Sequence, residues 1–79
     1  MITAAVTVLF FGAAREVTGK EAEGYKTGDT AELRKQILER YPGLGQISFR
    51  LALNRVLLNE DTGLKGNDII AILPPFEGG

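Results

Sequence analysis

The chain has 79 residues, 44% hydrophobic and 24% charged, with nine Lys or Arg against ten Asp or Glu. That length supports one domain, residues 1–79, near the lower size limit for a core without covalent help, and leaves no room for a deep enclosed active site. Cys and His are both absent, which excludes disulfides, Cys and Ser-His-Asp nucleophilic sites and nearly all zinc chemistry, so no metal site is expected.

The charge is balanced and shows no basic cluster, so the footprint of a nucleic-acid binder is missing. No apolar run reaches the length of a membrane span, and no signal-peptide pattern precedes the first strand. The expectation is a cytoplasmic protein whose partners are proteins, with no nucleic acid and no membrane.

Thr3 to Phe11 reads as a strand, with Val6, Val8 and Phe10 on one face and Ala5, Thr7, Leu9 and Phe11 on the other. Both faces are apolar, which places it centrally; Phe10 and Phe11 are read as packing residues. Ala13 to Thr18 suits a single helical turn, with Gly19 positioned to end it left-handed. Lys20 to Lys26 is polar and contains Gly24, as suits an edge strand antiparallel to the first.

Asp29 or Thr30 can cap a helix, and Asp29 with Glu32 has capping-box spacing. Leu33, Ile37, Leu38 and Tyr41 then form one apolar stripe, and Pro42-Gly43 ends the helix. Leu44 to Ser48 reads as a linker. Phe49 to Asn54 is a strand, followed by a turn at Asn54-Arg55 and the short apolar run Val56-Leu57-Leu58. Leu64 is the one residue of the turn-rich stretch Thr62 to Asp68 expected in the core, and Ile69 to Leu73 is a last strand, apolar on both faces. Ile70 and Ile72 face the helix if Ile69, Ala71 and Leu73 do not; the opposite parity is also open.

Two doubly apolar strands belong side by side in the middle of the sheet, and one helix can cover only one face. The fold class is α+β: a mixed four- to five-stranded sheet with one main helix packed on one face. Some apolar residues of the last strand then lack cover.

Residues 74–79, Pro74-Pro75-Phe76-Glu77-Gly78-Gly79, form an extended tail. Proline removes backbone donors and stops the strand, while glycine, lacking Cβ, gives a thin peptide able to enter a narrow channel. Six extended residues reach about 20 Å. Phe76 can anchor on the protein's own surface or in a partner's pocket.

This tail, with Leu9-Phe10-Phe11-Gly12-Ala13-Ala14-Arg15-Glu16-Val17-Thr18-Gly19, a helix start at Thr30 and Leu33, and the Leu64 to Asp68 turn, resembles the molybdopterin synthase small-subunit family, the MoaD type of the MoaD/ThiS superfamily. The resemblance covers essentially the whole chain; Asn67 stands where glycine is usual before Asp68. It implies a ubiquitin-like β-grasp fold and a sulfur carrier in molybdenum cofactor biosynthesis that is not an enzyme on its own. Gly79 would be adenylated by a ubiquitin-activating-type adenylyltransferase and converted to a thiocarboxylate, with ATP used by that partner and no cofactor bound here. The sulfur would then pass to a pterin precursor in the large synthase subunit, in a heterotetramer. On this reading Gly79 is the reactive position, and Pro74, Pro75, Phe76, Gly78, Leu57 and Leu73 serve the tail and partner binding. A sulfur carrier for thiamin thiazole synthesis, a ubiquitin-like protein modifier, and a β-grasp interaction module whose tail is never activated are the alternatives.

Overall fold

The computed structural model describes residues 3–74. Pro75, Phe76, Gly78 and Gly79 therefore lie outside the described residues. In chain order the elements are β1 (Ala4–Phe10), α1 (Gly12–Thr18), β2 (Ala22–Thr27), α2 (Thr30–Arg40), a 3-10 turn (Pro42–Gln46), β3 (Arg50–Leu53), β4 (Val56–Leu57) and β5 (Ile69–Leu73).

They build a five-stranded sheet in the order β2-β1-β5-β3-β4. The β1–β5 pair is parallel and the other pairs are antiparallel. The two strands that are apolar on both faces thus lie side by side, β5 central to the sheet. Val6, Val8, Phe10, Leu51, Ile70 and Ile72 form the covered face and join Leu33, Ile37, Leu44 and Leu64 in one buried cluster. This fixes the parity of the last strand: Ile70 and Ile72 point to the helix.

Asp29 is the N-cap of α2; its Oδ1 accepts the Glu32 N–H at 2.8 Å. Thr30 does different work. It is fully buried, donates from Oγ1 to Asp61 Oδ1 at 2.9 Å and accepts the Thr62 N–H at 2.9 Å, tying the helix start to the loop before β5. Leu33 and Ile37 are fully buried, while Tyr41 at the helix end meets Phe10 edge to face at 5.9 Å.

Two expectations change. Leu44 to Ser48 is not a linker: Pro42 starts a 3-10 turn through Gln46 that buries Leu44 completely. Proline's fixed φ favours that start, and burying the leucine contributes about 1.5–3 kcal/mol. The single turn after β1 is instead a seven-residue helix, α1, from Gly12 to Thr18. Gly19 ends it at φ 73°, donating its N–H to Arg15 O at 2.8 Å.

Candidate functional site

The sheet face opposite α2 carries a row of register partners that crosses all five strands: Ala22, Leu9, Ala71, Ala52 and Leu57. Three of the five are alanines, so the centre of this face is a shallow floor with no bulky side chain. Around it stand Phe11 and Ile69, each 45% exposed, and Leu57, 46% exposed. A groove on this face is lined by Leu9, Phe11, Ala52, Ile69, Ala71 and Leu73, with Asn54 and Arg55 at its rim. This uncovered apolar face is the candidate docking surface.

Leu57 and Leu73 both belong to this open face rather than to the covered one. Phe11 corrects the sequence reading. It is not a packing residue like Phe10, which is 1% exposed, but a wall of the open groove. The alternation in β1 already held that signal, because Phe11 shares the parity of Leu9 and only one main helix was available. Leu9, Ala52, Ile69 and Ala71 give no such signal one by one, because each reads as strand interior.

Pro74 stands where the tail leaves β5, beside the start of α1. A Cβ built on Gly12, which has φ +53°, would come within 2.9 Å of Pro74 Cγ. The two stretches that carry the resemblance thus touch at the edge of the apolar groove.

At the opposite end of β5 the β3–β4 hairpin turns through Asn54 and Arg55, both at positive φ, 48° and 75°. A two-residue hairpin turn with both central residues left-handed matches strand twist and normally ends in glycine. Asn54 locks the corner. Its Oδ1 accepts the Ile69 N–H at 2.9 Å and its Nδ2 donates to Asp68 Oδ1 at 3.0 Å, while Asp68 Oδ2 accepts the Lys65 N–H at 2.7 Å. The Lys65 N–H, then the Asn54 amide, hold the Asp68 carboxyl below its ordinary range. Asn67, at φ 70°, takes the left-handed position that glycine usually fills.

The densest polar cluster lies away from this face. Glu23, on the covered side of β2, accepts from Tyr25 Oη at 2.7 Å, Tyr41 Oη at 3.0 Å and Lys20 Nζ at 3.1 Å, with Arg40 Nε at 3.5 Å. Burial pushes the Glu23 carboxyl up, but these donors and cations together hold it below its ordinary value. Burial, and then the Glu23 carboxylate, raise Tyr25 well above the usual phenol range. The cluster clamps the end of α2 to the β2 edge. Among the described residues no three His, Cys, Asp or Glu side chains gather as metal ligands, and no helix is long and apolar enough to cross a membrane.

Residues 8–79 match the model of the ThiS family. The chain belongs to the ThiS family. A relative, the molybdopterin synthase sulfur carrier subunit of Chlamydomonas reinhardtii, is 33% identical, with 94% of this chain and 98% of that protein covered. Among solved structures, the small archaeal modifier protein 1 of Methanosarcina acetivorans superposes with a TM-score of 0.87 over 100% of both chains at 24% identity. That likeness establishes the fold: a ubiquitin-like β-grasp. A second structure is a complex of subunits 1 and 2 of molybdopterin-converting factor from Helicobacter pylori; it matches with a TM-score of 0.74 and 37% identity, covering 95% of this chain and 99% of that one.

Proposed function

We propose that this ThiS-family chain is the sulfur-carrier small subunit of a molybdopterin synthase. The observation that carries the reading is the 33% identity, over 94% of this chain, to a relative of that name, joined to an uncovered apolar groove beside the point where the tail leaves the sheet. The groove and the tail then divide the work. The apolar face docks on the large subunit, and the tail carries the reacting group into it.

A carboxylate is a poor electrophile. An adenylyltransferase of the ubiquitin-activating type therefore joins AMP from ATP to the Gly79 carboxylate, releasing pyrophosphate. A sulfide-level nucleophile next attacks the acyl carbon; the C–S bond forms as the bond to AMP breaks. The resulting thiocarboxylate is ionised at neutral pH and acts as a soft nucleophile, for the reason that acidic thiols react as thiolates. In the large subunit the thiocarboxylate sulfur bonds to a carbon of the pterin precursor as a leaving group departs from that carbon, and water then hydrolyses the acyl–sulfur bond, so the sulfur stays on the precursor and Gly79 is a carboxylate again. The chain needs no His, Cys, metal or bound cofactor for this, because its own reacting group is the tail carboxyl. The assembly is a heterotetramer of two small and two large subunits in the cytoplasm.

Intact-mass measurement tests the reading. Incubation with the activating enzyme of the same organism, ATP and a sulfur source replaces one oxygen at Gly79 by sulfur. No change in mass with an active partner contradicts the proposal. Transfer of the sulfur to a thiazole synthase, or a ladder of lysine conjugates, would assign the chain to the other destinations of the same chemistry.

A further inference from the structure

Arg55 lies on the rim of the apolar groove, in a backbone conformation that disfavours it. At φ 75° it occupies the second position of the hairpin turn, where glycine carries no Cβ penalty. The Asn54 side chain ties the turn to Asp68 and Ile69 at the start of β5, so the backbone at Arg55 is held beside the groove that Ile69 and Ala71 line. The ion pairs among the described residues are Arg15–Glu21, Lys20–Glu23 and Arg40–Glu23, and none uses Arg55. Asp68, the acid in the same corner, has its oxygens taken by Asn54 and by the Lys65 N–H. A guanidinium is therefore presented beside an apolar floor, at a position where retaining any side chain strains the backbone. Strain of that kind is a pointer to function.

We propose that Arg55 is a specificity-determining contact for the large synthase subunit, pairing with a carboxylate that borders the apolar ridge filling the groove. This rests on the docking role given to the open face under the proposed function. The charge steers the encounter and rejects ridges that lack the acid, while the apolar floor supplies the contact area.

The test uses the full chain and the large subunit of the same organism, with affinity measured at low and high salt and thermal stability measured in parallel. Arg55→Gly relieves the turn, so its melting temperature rises, while its affinity at low salt falls about threefold to fivefold and its salt dependence flattens. Arg55→Lys keeps the charge and retains most of the affinity. Arg55→Glu binds more weakly than Arg55→Gly. A purely structural arginine gives no such split between stability and binding.

Ala71→Phe, which fills the floor, serves as the companion variant. If it abolishes binding while Arg55→Gly binds like the parent with an unchanged salt slope, the Arg55 assignment is overturned and the docking face stands. If Ala71→Phe also binds normally, the docking face itself is wrong, and the Arg55 assignment falls with it.

Discussion

Gly12 and Pro74 hold the root of the tail between them: at φ +53° the glycine leaves open the space that a Cβ would take, 2.9 Å from the proline Cγ. Gly12→Ala therefore meets two penalties, left-handed geometry and a clash with the ring. We expect a loss of about 1–2 kcal/mol in urea unfolding. Because the clash pushes on the tail root, sulfur transfer in the assembled synthase should fall further than the lost stability explains. Equal losses in both would show that the contact is structural only.

Gly78→Phe should leave the unfolding curve unchanged and abolish sulfur transfer, since a bulky side chain cannot follow a thin peptide into a narrow channel. Kinetics at the normal rate would remove the narrow-channel idea.

Asn54→Ala removes two side-chain hydrogen bonds and the residue type that best tolerates φ 48°. The expected cost is about 2 kcal/mol. NMR titration of Asp68 checks the cause, because without the Asn54 amide its carboxyl should titrate closer to the ordinary range.

The Glu23 clamp gives stability a pH dependence of definite sign. Its folded carboxyl titrates below its ordinary value of 4.5, so its stabilisation is complete above that value and is lost as pH falls through the folded value. Chemical denaturation across the acid range should show this slope in the parent chain and a flatter one in Glu23→Gln. Identical slopes would assign the acid sensitivity elsewhere.

Leu44→Ala should cost about 2–5 kcal/mol, as for other fully buried leucines. A loss under about 1 kcal/mol, the range of surface changes, would mean that the 3-10 turn does not seat this side chain in the core.

Period and punctuation made most of the fold legible. Alternation in β1, the Asp29 cap with the Leu33 and Ile37 stripe, and the bounds of β5 each follow from a local rule, and the structure matches them to within a residue or two. Leu44 was not legible, because nothing local marks a leucine between two glycines as core; only the closing of the chain over the sheet end buries it. The groove was half legible. Leu57 and Leu73 could be suspected from a sheet with one cover, but the row that joins Leu57, Ala52, Ala71 and Leu9 exists only once register across four strands is set. Of the tail, the structure describes Pro74 alone; Pro75, Phe76, Gly78 and Gly79 lie outside the described residues.

The central position of β5 makes the open face conditional on complete pairing of the sheet. Without it the sheet falls into two separate hairpins, β2–β1 and β3–β4, because β1 and β3 meet only through β5. The strand that carries the tail is thus the keystone, paired with residues some 60 positions earlier in the chain, as Val8 is with Ile70. Such distant pairing must meet the entropy cost of closing a long loop, which makes it slow to form. The row Leu9, Ala71 and Ala52 therefore forms one surface only when β5 is paired on both of its edges.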